Sequence, residues 1–305
     1  MKKIFGLLKT TFVEWNKKDP FRQSAVIAYY AIFSLPGLLV LIITIAGYFF
    51  DRDTVSNNVL NEISGTLGPD TASQIKQILA KSGQTKSTIL GTIIGIVILI
   101  SGAIGVFGEL QKTLNLIWEV KVDPKTGIWP IIKSRLFSFG LVLAIAFLLI
   151  VSLAVSTVIT ALTDFIKTDT STFLKIIFHG LNFVISLSII SVLFALIFKY
   201  LPDIKIQWKY IWLGALVTGI LFMIGKTALT IYFEKASPGS AYGAAGSIIL
   251  ILLWVSYSSM IVFFGAEFTY TNAKDHHDQA ILDENKPQPQ VEADKKSDEV
   301  LVKKA

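Results

Sequence analysis

The sequence predicts an all-α, polytopic membrane protein: six transmembrane helices, with amphipathic helices at the interfaces. Three observations carry that prediction. Of the 305 residues, 52% are hydrophobic and only 16% are charged, against about 25% charged in an ordinary soluble domain. Mean hydropathy is +0.61. The charge is also segregated: long uncharged runs alternate with short charged ones, and several runs reach the roughly 20 residues that a helix needs to cross a bilayer.

Residues 1–19 form an expected cytoplasmic arm. Ile4, Leu8, Phe12 and Trp15 recur at helical spacing with lysines between them, the pattern of a helix lying on a membrane surface. Lysines interrupt the apolar residues and no small-residue cleavage site follows, so the arm does not read as a signal peptide. Asp19-Pro20 supplies a helix cap and a first helical position.

A transmembrane domain is expected over 20–272, with spans at 23–50, 88–109, 136–162, 173–200, 210–233 and 242–269. An external helical loop, 51–86, separates the first two. Val55, Val59, Ile63 and Leu67 share one helical face there, as do Ile75, Ile78 and Leu79, and Gly68-Pro69 divides the two helices. The tail, 273–305, is polar and predicted to be a disordered cytoplasmic segment.

Counting Lys and Arg fixes the orientation. The arm, the loops after spans two and four, and the tail hold 20 of them; the opposite side holds 7. Both termini are therefore expected in the cytoplasm, with the basic excess against anionic inner-leaflet lipid. That distribution accounts for the net charge of +6 without invoking nucleic acid.

Polar residues inside the spans are the candidate site. Pro36 lacks an N–H and clashes with the carbonyl one turn back, which predicts a kink in span one, with Ser34, water or another helix satisfying the freed backbone. Gly91, Gly95, Gly102 and Gly105 fall near one face of span two and admit a close helix neighbour. Glu109 and Glu267 each lie near the cytoplasmic end of an inward-running helix. The helix dipole is negative there, so each carboxylate calls for a cation. Arg135, Lys199 and Lys209 are on the expected side to supply one. An ion pair locking helix ends is the favoured reading, ahead of a proton or substrate site.

Lys226 stands beyond Ile211 by roughly 22 Å of helical rise, which is the outer half of a core about 30 Å thick. Two readings stand for it. Its side chain snorkels to the outer surface, or it faces a polar cavity with His179 and Asn182 at similar depth.

The segments "AYYAIFSLPGLL", "LQKTLNLIWEV", "LIFKYLPDIKIQWKYIWLGAL", "GKTALTIYF" and "SAYGAAGSIILILLWVSYSSMIVFFGAEF" occur in that order between residues 21 and 272. As a set they resemble the successive signatures of the YihY/virulence factor BrkB family. The resemblance implies a six-span bacterial inner-membrane protein. It implies no defined biochemistry: members have carried a ribonuclease label or a link to virulence, and lipid transport has been proposed for relatives.

The residues argue against an enzyme. Metal-dependent phosphodiester hydrolysis needs clustered His and carboxylate ligands. The three histidines are His179 and the adjacent pair His276 and His277, in a polar "DHHD" tail that reads as solvated. No phosphate-binding glycine loop follows a strand. No cysteine is present, so disulfides, iron–sulfur ligation and thiol chemistry are excluded. No cofactor or metal is expected. The first expectation is a transporter or exporter of lipid or another amphipathic envelope molecule. Lys226 would serve the outer half, and Tyr29, Tyr30, Ser34 and Asn115 would line the inner half. The second is a non-transporting scaffold that recruits envelope proteins through its external helices. A small-solute channel ranks third, for want of a ring-forming acidic motif.

Overall fold

The computed structural model of the chain describes residues 2–49, 51–84, 89–120, 172–204 and 206–275. Every regular element among them is a helix. In chain order they are α1 (Lys2–Lys17), α2 (Pro20–Phe49), α3 (Arg52–Leu67), α4 (Pro69–Gln84), α5 (Ile89–Ile117), α6 (Thr172–Tyr200), α7 (Trp208–Ala236), a 3-10 turn (Ser240–Ala245) and α8 (Gly246–Asp275). Among the described residues, three helices are long and apolar enough to cross a membrane: α6 over Phe183–Tyr200, α7 over its full length, and α8 over Gly246–Lys274. The span expected at 136–162 lies outside the described residues, as do Arg135, His276, His277 and the tail beyond 275.

The long helices pack in the order α5, α2, α8, α7, α6, with α8 at the centre; it also meets α1 and the α3–α4 pair. Small residues set the close approaches. Gly102 and Gly105 of α5 face Ser34 and Tyr30 of α2, and a Cβ at Gly102 would come within 2.9 Å of the Ser34 side chain. Between α7 and α8 the arrangement is reciprocal. Gly214 lies under Thr269, and Gly265 lies under Thr218. Each threonine is fully buried and turns its hydroxyl back onto its own helix, Thr218 to the Gly214 carbonyl at 2.6 Å and Thr269 to the Gly265 carbonyl at 2.8 Å. The two helices therefore exchange a glycine for a threonine at the same crossing, the small-residue device that lets membrane helices touch.

The helix ends depart from the hydropathy boundaries. The helix over span two runs on to Ile117, because Leu110, Leu114 and Ile117 keep helical spacing and fill the core while Glu109 and Lys112 stay outside it. The last helix begins at Gly246 rather than 242, since Gly243 sits at φ +52 and breaks the helix, and Tyr242 is left exposed in the turn before it. The helix continues through Pro36 without interruption.

The main apolar core lies at one end of the bundle. Leu114, Ile117 and Trp118 of α5 and its C-terminus meet Phe194 and Phe198 of α6, Ile211 and Ala215 of α7, and Phe263 and Ala266 of α8. The turn between α6 and α7 closes it with Leu201, Ile204 and Ile206. At the other end α3 and α4 form a helical hairpin, divided at Gly68 (φ +89), over a small cluster of Ile43 and Val55 with Val59 and Leu79.

Candidate functional site

Glu267 is the deepest charge among the described residues, 1% exposed on α8. Its partner is Lys18, whose Nζ donates to Glu267 Oε2 at 2.8 Å and to the Ile117 carbonyl at 2.7 Å. The same ammonium lies 5.2 Å from the centre of the Tyr270 ring. A buried carboxylate without such a partner costs several kcal/mol, so the pair is obligatory rather than incidental.

Local backbone geometry delivers Lys18 to this place. α1 ends at Lys17, and Asp19 takes a left-handed conformation (φ +53) that turns the chain before Pro20 opens α2. The Asp19 carbonyl accepts the first helical bond, from Gln23 N at 3.3 Å, and its carboxylate accepts from Arg22 Nε at 2.8 Å. A second left-handed residue, Glu119 (φ +54), ends α5. The Glu119 N–H donates to the Leu116 carbonyl at 3.2 Å and the Val120 N–H to the Asn115 carbonyl at 2.9 Å, the two bonds of a Schellman cap. Glycine is the usual residue there; a glutamate in that conformation costs about 1 kcal/mol. Here its carboxylate is a neighbour of Tyr270.

The expected pairings are thus partly corrected. Glu267 does have a cation, but it comes from the arm. Lys199 instead donates to the Ile206 carbonyl in the α6–α7 turn, and Lys209 lies over the Tyr210 ring, 4.5 Å from its centre. Glu109 is paired within its own helix, with Lys112 at 3.2 Å.

Asn115 of α5 clamps the α6–α7 turn. Its Nδ2 donates to Asp203 Oδ2 at 2.8 Å while its Oδ1 accepts from the Asp203 N–H at 2.9 Å. Gln111 adds a longer bond to the same carboxylate, at 3.2 Å. Around this end Thr113 donates to Gln23 at 2.7 Å, and Trp118 Nε1 donates to the Ala266 carbonyl at 3.0 Å. Asn115 and Glu267 therefore belong to one polar layer that joins α5, α8, the arm and the α6–α7 turn.

The other candidates do not join that layer. Tyr30 and Ser34 sit against the glycines of α5, with Ser34 Oγ bonded to the Ala31 carbonyl at 3.2 Å. Tyr29 is exposed, edge-on to Phe33 at 5.2 Å. Pro36, His179 and Asn182 lie in helices, and their side chains are outside the described residues. Lys226 is partly exposed and donates to Glu62 of α3, an exposed carboxylate of the α3–α4 hairpin. Gly214, Thr218 and Gly225, on neighbouring turns, are packed against α8. Among the described residues no group of His, Cys, Asp and Glu is placed to hold a metal ion.

Sequence reasoning missed Lys18, Asp203 and the Gly–Thr exchange. The last had a visible signal, since glycine and threonine stand four residues apart at both 214–218 and 265–269.

A family model described as virulence factor BrkB matches residues 11–291. The chain belongs to this family. Its members among curated proteins are membrane proteins by name. A "UPF0761 membrane protein" of Saccharophagus degradans is 26% identical over 89% of this chain and 60% of its own length. One of Teredinibacter turnerae is 25% identical over 90% of this chain and 62% of its own. A third, from Haemophilus influenzae, is 26% identical over 88% of this chain and 95% of its own. The chain thus spans about three-fifths of the first two relatives and nearly all of the third. No solved structure matches it. Membership, with the apolar helices above, makes this a multi-pass membrane protein.

Proposed function

We propose that this BrkB-family protein crosses the cytoplasmic membrane six times, with both termini inside, and moves a lipid or another amphipathic envelope molecule without catalysing a reaction. The observation that carries this reading is the Lys18–Glu267 pair, buried in the bundle yet supplied from the arm. Ionisable groups are costly inside a membrane bundle and tend to mark substrate or ion routes. Separating this pair strands two charges at a cost of about 3–5 kcal/mol, so in this reading substrate binding drives it. Expected partners are membrane lipids.

The test is lipid movement by the full chain in reconstituted vesicles. Glu267→Gln keeps the shape of the side chain and removes the charge. Transport should fall severalfold while the variant remains folded. Transport equal to the unsubstituted protein, or no movement above protein-free vesicles for either, would sink the reading.

The Lys226–Glu62 contact favours a second reading, an envelope scaffold acting through α3 and α4. In that case deletion of residues 54–84 abolishes function, whereas Glu267→Gln leaves it intact.

A further inference from the structure

Helix α1 divides its circumference three ways. Thr11 is fully buried and the Trp15 ring packs edge-on to Phe264 of α8 at 5.9 Å, so the bundle covers one arc. Phe5, Leu8 and Phe12 share the neighbouring arc at helical spacing, and they are 72, 38 and 57% exposed. Phe21, at the start of α2, extends this ridge; its ring lies 6.2 Å from Trp15. Lys9 borders the ridge beside Phe5, and Val13 and Lys17 lie beyond it on the far arc, all exposed. The sequence pattern places Ile4, Leu8, Phe12 and Trp15 on one membrane face. The structure splits that face, giving Trp15 to the bundle and leaving Leu8 and Phe12 open.

An exposed ridge of large apolar side chains marks an interaction surface. Its position identifies the occupant. α1 is fixed at its C-terminal end by Lys18–Glu267 and Trp15–Phe264 to α8, a helix long and apolar enough to cross a membrane. The ridge therefore adjoins the lipid-facing side of the bundle. The basic arc complements acidic headgroups, and the arm as a whole carries Lys2, Lys3, Lys9, Lys17 and Lys18 against a single acid before Asp19, Glu14. An apolar ridge beside a basic arc is the design of a helix lying in a membrane interface.

We propose that α1 lies in the headgroup layer of an anionic leaflet, with Phe5, Leu8 and Phe12 in contact with acyl chains. This goes beyond the transport reading and is independent of it: a scaffold would hold the same arm against the same leaflet.

The chain has no cysteine of its own, so single labels are clean. Phe5→Cys, Leu8→Cys, Phe12→Cys and, as the water-facing control, Lys17→Cys are each spin-labelled in the full chain. The proteins are reconstituted in phosphatidylcholine vesicles with and without phosphatidylglycerol. Collisions with oxygen should dominate at positions 5, 8 and 12, and collisions with a water-soluble nickel chelate at 17. Replacing Lys2, Lys3, Lys9 and Lys17 with Gln should weaken the arm's partition into the acidic vesicles by about fivefold per charge removed, read as a rise in nickel access at 5, 8 and 12. The proposal fails if 5, 8 and 12 are as open to nickel as 17. It also fails if both agents are excluded there, which would place a protein on the ridge. Equal insertion with and without phosphatidylglycerol, unmoved by the Gln variant, overturns the anionic requirement.

Discussion

The two ends of the bundle use the same chemistry in opposite settings. At the α1 end Lys18 and Glu267 pair with side chains 17 and 1% exposed. At the other end Lys226 and Glu62 pair with side chains 40 and 70% exposed. Breaking a buried pair strands a charge and costs about 3–5 kcal/mol, whereas an exposed pair contributes about 0.2–1 kcal/mol and is weakened by salt. The surroundings follow the same division. The α1 end has the main core, a Schellman cap, the Asn115–Asp203 clamp and the Trp118 indole bond. The α3–α4 end rests on a cluster of two buried residues with the Ser247–Gln74 and Lys226–Glu62 contacts. One end is locked, and the other is a cover held by replaceable contacts.

The largest expected effect tests the lock. Lys18→Ala should lower unfolding stability in detergent by about 3 kcal/mol or more, and the double change Lys18→Met with Glu267→Leu should recover most of it. A loss under 1 kcal/mol, read from denaturant unfolding, would mean that Glu267 is neutral or hydrated and that the two ends are alike.

Next comes the α7–α8 crossing. A Cβ at Gly214 or Gly265 would overlap the opposing threonine hydroxyl. Gly214→Ala should cost about 1–3 kcal/mol, as overpacking does, and Thr269→Ala on that background should return part of the loss. Additive losses in the double variant would show that the helices are not in contact at this point.

Lys226→Ala should cost less than about 1 kcal/mol, with an effect that shrinks as salt rises. A larger loss, insensitive to salt, would place Lys226 in a buried site and erase the contrast between the ends.

The smallest effect is one of pH. Asp51 caps α3 by accepting from the Thr54 N–H and hydroxyl, both at 2.9 Å, and these bonds hold its carboxyl below the ordinary carboxylate range. The folded value lies below the unfolded one. Its stabilisation is therefore complete above the unfolded value and is lost as pH falls through the folded value. Protection of the Thr54 and Val55 amides, taken relative to intrinsic exchange at each pH, should fall over that acid window in the native chain and show no such step in Asp51→Asn.

Much of the helical layout was legible because hydropathy and helical spacing agree over each long run. The ends were less so. α5 continues to Ile117 because Leu114 and Ile117 find a core that hydropathy does not register. That Glu267 needs a cation followed from the helix dipole. That Lys18 supplies it did not, because the two residues are 249 positions apart and the arm was expected to lie wholly against lipid. Asn115 was legible as a polar residue near the inner surface but not as a clamp, since its partner Asp203 lies in a turn placed by tertiary packing alone. For Lys226 the partner was not legible, because Glu62 belongs to a helix whose docking no local pattern encodes.

The Gly–Thr exchange also limits how the protein moves. Sliding α7 along α8 by one turn, about 5.4 Å, would bring Thr269 against Tyr210 or Thr218 in place of Gly214, and neither leaves room for it. Only one register is open to the pair. Any working motion must then carry α7 and α8 together as a single strut, with the displacement taken up at their contacts with α2, α5 and α6.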